Sequence, residues 1–164
     1  KRLQLIADRF SKIGSLPEPV ETDLKEALEH VIDYMDRRTS NKVKMIRDFP
    51  DDDIQVKINA SLFEWVIENL SKNAVDAMGG EGTITLKVFE ENRKAVVEVT
   101  DTGKGIRSKD IRNVFRPGFT TKKRGWGLGL SLAKRIVEEY HKGRIFVKWS
   151  EVGVGTTFRI ELKK

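Results

Sequence analysis

Gly125-Trp126-Gly127-Leu128-Gly129-Leu130 sets three glycines at alternate positions. Directly after it Leu132, Ile136, Val137 and Tyr140 fall at helical spacing, over about residues 130–141, and Gly143 ends the pattern. Backbone amides unshielded by side chains and the positive end of a helix then point the same way, a geometry that suits a triphosphate. Close packing of a loop would explain one such glycine, but hardly three with the basic run Lys122-Lys123-Arg124 just upstream. The pattern is neither G-x-x-x-x-G-K-[ST] nor a strand-borne G-x-G-x-x-G. A different nucleotide fold is required.

Upstream, Val114-Phe115-Arg116-Pro117-Gly118-Phe119-Thr120-Thr121-Lys122 has aromatics in a stretch too rich in Gly and Pro for a regular element. It reads as a candidate lid, or as a surface loop whose Phe115 and Phe119 plug the core. Further upstream Asp101-Thr102-Gly103-Lys104-Gly105 puts a carboxylate at a strand end, followed by two glycines. Such a segment is either a tight turn with an Asx hydrogen bond or a base-reading site, where an acceptor-only carboxylate meets an exocyclic amine and the glycines admit the ring. Asn69, Asn73 and Asp76 share one face of a helix at i, i+4 and i+7. That face is either simply solvated or, through the carbonyl oxygen of Asn73, a neutral hard ligand for Mg²⁺.

The chain has 164 residues, of which 38% are hydrophobic, with a mean hydropathy of −0.45. This describes a globular domain with its own core. No run approaches the roughly 20 apolar residues of a membrane helix, and Lys1-Arg2 does not open a signal peptide. A cytoplasmic location without direct membrane contact is expected, with anchoring of a longer parent chain left open. The net charge of +6 is spread with both signs interleaved, and the one dense basic run, Lys122-Lys123-Arg124, sits beside the Gly-rich stretch and not along a helix, which favours a phosphate ligand over nucleic acid. Without cysteine there is no disulfide framework and no thiolate chemistry.

Leu3, Ile6, Phe10 and Ile13 form a helical seam that Gly14 would end, and Pro17 and Pro19 mark a linker. Residues 1–20 are therefore read as a helix tail plus linker and 21–164 as the main domain. Residues 22–38 predict an amphipathic helix, 43–49 and 54–58 two short strands forming a hairpin or a neighbouring pair, and 60–78 a long helix closed by Gly79-Gly80. Alternating strands around Ile84-Leu86-Val88 and Ala95-Val97-Val99 follow, and two more close the chain over 144–149 and 156–162. Adjacent hairpins in place of strict βαβ alternation predict an α/β (α+β) two-layer sandwich, its mixed and mostly antiparallel sheet covered by helices on one face.

Taken in order, these segments resemble the four motifs of the catalytic ATP-binding domain of sensor histidine kinases, within the gyrase, heat-shock chaperone, histidine kinase and mismatch-repair ATPase superfamily. Asn69-Leu70-Ser71-Lys72-Asn73-Ala74 is similar to the N box, Asp101 to Gly105 to the first glycine box, Phe115 to Phe119 to the F box, and Gly125 to Leu130 to the second glycine box. The resemblance covers about Thr22 to the end and implies the Bergerat fold. It implies ATP and Mg²⁺ as cofactors, with Asn73 as the metal ligand and Asp101 on the adenine amine. Asn69, Asp76, Gly103, Gly105, Ile106, Phe115, Thr120, Thr121, Lys122, Gly125, Trp126, Gly127, Leu128, Gly129 and Leu130 are its remaining nucleotide-binding positions. Asn69, Asn73 and Lys122 are the catalytic ones. Residues 3–13 then resemble the tail of the dimerisation and phosphoacceptor hairpin. Trp126 stands where a small or polar residue is common, and Asp76 where a basic one is frequent; Asp-Ala and Phe119-Thr120-Thr121-Lys122 resemble the nitrogen-sensor-like branch.

The acceptor histidine of the family is followed by an acidic residue and soon by a proline. Neither His30 nor His141 has that context, so the expected acceptor precedes Lys1. The expected activity is protein-histidine kinase chemistry: MgATP is held with its γ-phosphoryl aimed at a histidine on the hairpin of a homodimer, from which a response regulator would take it. One rival is an ATP-hydrolysing clamp of the same superfamily, which uses a glutamate where this chain has Asn69, an amide that takes no proton at neutral pH. The other is a non-catalytic nucleotide-sensing module.

Overall fold

The period-2 patterns fold into a sheet and the 3.6-period patterns into the layer that covers it. The computed structural model describes residues 18–117 and 129–164. The helical tail expected over 1–20 falls mostly outside the described residues. The described elements are β1 (Val20–Asp23), α1 (Leu24–Arg38), β2 (Val43–Asp48), β3 (Gln55–Ile58), α2 (Ala60–Ala77), β4 (Gly82–Glu91), β5 (Lys94–Asp101), α3 (Ser108–Ile111), α4 (Gly129–Arg135) continued by a π-helical turn (Ile136–Tyr140), β6 (Arg144–Glu151) and β7 (Gly155–Lys163).

Five strands form the main sheet in the order β2-β4-β5-β7-β6. β2 runs parallel to β4 and the other pairings are antiparallel. Its inner face presents Ile84, Leu86 and Val88, then Ala95, Val97 and Val99, then Phe158, Ile160 and Leu162, to Leu28 and Ile32 of α1, to Phe63, Val66, Ile67 and Leu70 of α2, and to Ala133 and Ile136. Contiguous apolar burial of this kind is the main favourable contribution to folding. On the outer face Arg159 spans Glu91, Glu98 and Glu161 at 2.9, 3.2 and 2.9 Å. The architecture is the α+β, two-layer Bergerat sandwich expected.

Two expectations need correction. β2 and β3 do not pair with each other: β2 joins the main sheet beside β4, while β3 pairs antiparallel with β1 in a separate two-stranded sheet. The alternation of Val56 and Ile58 signalled a strand but carried no information on its partner. The first helix starts at Leu24, because Thr22 and Asp23 belong to β1, opposite Val56 and Gln55. Asp23 caps the helix by accepting from the Lys25 amide at 3.0 Å. The Gly-rich region also contains a short helix, α3, which the glycine and proline signals concealed.

Candidate functional site

α2 carries the first cluster. Asn59 caps it, its side-chain oxygen accepting from the Leu62 amide at 3.1 Å. Leu70, Ser71 and Ala74 are buried on the core side. Asn69 and Asn73 are half-buried one turn apart, and Asp76 is exposed a turn further on. Glu68, the carboxylate next in sequence to Asn69, is only 3% exposed and lies on the buried side of the helix.

At the far end of α2 lies the loop after β5. Asp101 closes that strand, opposite Ile84 and Thr156. Its carboxylate is 5% exposed and accepts from the Gly103 amide at 2.8 Å. Burial pushes its pKa above the usual carboxylate value, opposed in part by hydrogen bonds from the amides of Gly103 and Thr156. A carboxylate offers about four acceptor positions, so two amides leave room for a further donor. The loop itself is tied down on both sides. Lys104 N–H donates to the Ala77 carbonyl at 2.9 Å, and a Cβ on Gly103 would sit 2.7 Å from that same oxygen, so only glycine permits this approach to the helix end. Gly105 has φ +77°, and a side chain there would run into the Glu151 carbonyl oxygen.

The second glycine cluster reaches the same place. Gly129 is the first described residue of α4, and a Cβ there would lie 2.6 Å from Asn69 Oδ1 and 2.9 Å from Nδ2. Gly129 thus rests on the asparagine face of α2. Leu130 and Ile106 are partly buried against the core. Phe115 stacks edge-on against Phe158, with centroids 5.9 Å apart, and Lys134 Nζ stands 5.4 Å from its ring. Phe115 is therefore a core plug. Thr120, Thr121, Lys122, Gly125, Trp126, Gly127 and Leu128 lie outside the described residues.

Thr156 and Ser150 escaped the sequence reading. A β-bulge between Val147 and Trp149 turns Ser150 to the inner side of β6, where its hydroxyl lies 2.8 Å from that of Thr156 and accepts from the Ile106 amide at 2.8 Å. Both support the Asp101 loop. Gly155 was the available signal, since a side chain there would collide with the Asp101 carbonyl oxygen.

Residues 59–164, which include every part of this constellation, match the family model of the histidine kinase-, DNA gyrase B- and HSP90-like ATPases. The chain belongs to this family. Among curated family relatives, it is 31% identical over 166 residues to the sensor histidine kinase ZraS of Escherichia coli, covering 95% of this chain and 35% of that protein. It is 30% identical over 168 residues to sporulation kinase E of Bacillus subtilis, covering 99% of this chain and 22% of that one. The chain thus spans about a third or less of the length of these relatives. Among solved structures, the catalytic domain of histidine kinase ThkA superposes with a TM-score of 0.81 at 28% identity, over 91% of this chain and 97% of that domain. No helix among the described residues is long and apolar enough to cross a membrane.

The contact between Gly129 and Asn69 gives the first expected result. Gly129→Ala should leave the midpoint of thermal unfolding nearly unchanged, because the new methyl meets the movable end of a side chain and alanine favours the helix by about 1 kcal/mol over glycine. It should still lower MgATP affinity by displacing the Asn69 amide. Paired unfolding and titration curves check this.

Proposed function

We propose that this chain is the ATP-binding catalytic domain of a protein-histidine kinase. The observation that carries the reading is the convergence of two segments on α2, which bears Asn69 and Asn73: Gly129 of α4 against Asn69, and the Asp101 loop bonded to its last turn. A buried acceptor with spare capacity at one end and an amide-rich helix start beside two asparagines suit a purine base and a polyphosphate respectively. ATP supplies the phosphoryl group, and Mg²⁺ supplies charge neutralisation for its transfer.

In this reading Asp101 accepts from the adenine amine, while Gly103 and Gly105 let the backbone approach the ring. Asn73, with Asn69 beside it, offers its amide oxygen to Mg²⁺, and the residues from 125 to Leu130 offer backbone amides to the phosphates. Lys122 would add positive charge. The acceptor is a histidine on a dimerisation hairpin, and a response regulator receives the phosphoryl group afterwards. Neither histidine of this chain suits the task. His141 has both ring nitrogens engaged, and His30 is paired with Glu64 at 3.2 Å on α1, away from the asparagine face. The clamp-type hydrolase is disfavoured because position 69 holds an asparagine and Glu68, about 100° further round the helix, is buried.

Calorimetric titration tests the reading. MgATP should bind the isolated chain in preference to MgGTP, whose carbonyl at the corresponding ring position cannot donate to Asp101. Equal binding of both nucleotides, or of neither, would overturn it.

A further inference from the structure

His141 lies far along the α4 segment from Gly129, and both nitrogens of its ring are engaged. Its Nε2 accepts from the Asn59 backbone amide at 3.1 Å, and its Nδ1 lies 3.0 Å from the Ile136 carbonyl oxygen. An amide can donate only to a bare ring nitrogen and a carbonyl can only accept, so the ring is neutral with its proton on Nδ1. The π-helical turn Ile136–Tyr140 delivers it there, since the His141 backbone amide also donates to Ile136 O, five residues back.

The surroundings of the ring hold little charge. Phe63 of α2 meets it edge-on at 6.1 Å, and Tyr140 at 4.8 Å. The Tyr140 hydroxyl accepts from the Asn59 side chain at 3.4 Å, and this phenol is the ionisable group against the ring. Of the nearby charged groups, Glu64 pairs with His30, Glu138 with Lys134 and the Ile145 amide, and Glu161 with Arg159, while Lys142 is exposed. Burial holds the imidazole below the ordinary histidine value, with the Ile136 carbonyl opposing in part.

The α4 segment therefore grips α2 at two points, Gly129 on Asn69 and His141 on Asn59, roughly 15 Å apart at 1.5 Å per residue. We propose that His141 is a positioning residue: its neutral imidazole latches the end of this segment to the start of α2, fixes where Gly129 lies on Asn69, and releases that grip when the ring is protonated. The role rests on the nucleotide reading of the asparagine face. The direction of the pH effect follows from the burial of the neutral ring. The unfolded chain takes up a proton near pH 6.5 and the folded one only below that, so the latch contributes fully above about pH 6.5 and is lost as pH falls through the folded value.

The test compares wild type with His141→Gln, whose side-chain oxygen can still accept from Asn59 but does not titrate, and with His141→Ala. Nitrogen NMR of wild type without ligand should give the neutral Nδ1–H tautomer at about pH 7.5. As pH is lowered from about 7.5 through the folded value of His141, the MgATP affinity of wild type should fall further than that of His141→Gln, which controls for titration of ATP itself. At the higher pH, His141→Ala should weaken MgATP about tenfold but metal-free ADP by less than about twofold, because the latch sets the triphosphate end of the site. A charged ring at neutral pH, identical pH profiles for wild type and His141→Gln, or equal losses for both nucleotides would overturn the latch alone. Failure of every form to bind MgATP at any pH would overturn the nucleotide reading beneath it.

Discussion

Asn73→Ala is expected to remove most of the gain in ATP affinity that Mg²⁺ provides, at least about tenfold, while metal-free binding changes little. Only the coordinated state uses the amide oxygen, and Mg²⁺ takes few protein ligands, so each one weighs heavily. The fold should not suffer. Asn73 is half-buried in the interior of α2, where alanine is favoured over asparagine by about half a kcal/mol, and among the described residues no hydrogen bond ties its side chain to the fold. Titrations with and without Mg²⁺, paired with thermal unfolding, separate the two effects. Equal losses in both titrations would make the residue structural.

Asp101→Asn should lower ATP affinity by about 1–3 kcal/mol, roughly fivefold to over a hundredfold, because an amide can turn a donor toward the adenine amine. The same change should stabilise the ligand-free chain at neutral pH. Burial raises the folded carboxyl above the ordinary carboxylate value, so the favourable contribution is complete below that value and is lost as pH rises through the folded one. Wild type should therefore lose stability relative to Asp101→Asn as pH climbs from about 4 to 7. A residue that costs stability where it serves binding is the expected signature of a ligand-reading group. Parallel stability curves, or an unchanged affinity, would return Asp101 to the role of a turn residue.

What the sequence made legible follows from which interactions are local. The α2 helix, from Ala60 to Ala77, was readable because its apolar stripe and its Gly79-Gly80 stop lie within or directly after its own segment. The β4, β5, β6 and β7 strands were readable from alternation. The partner of β3 was not, because pairing with β1 across 32 or more residues leaves no mark on either strand. At the site, glycines announced the loop after β5, but the support from Ser150 and Thr156 depends on a bulge and a register that no local pattern encodes. His141 read as a helix-ending residue for the same reason. Its partner Asn59 is 82 positions away.

The central claim is that this chain holds MgATP for transfer to a histidine outside itself. The direct measurement incubates the purified chain with Mg²⁺ and ATP labelled at the γ-phosphate, with and without a histidine-bearing dimerisation hairpin, and follows both labelled protein and released phosphate. The account predicts an unlabelled chain and very slow phosphate release when the chain is alone, and acid-labile, alkali-stable label on the hairpin when it is added. Label on His30 or His141, or brisk phosphate release without any acceptor, would contradict it.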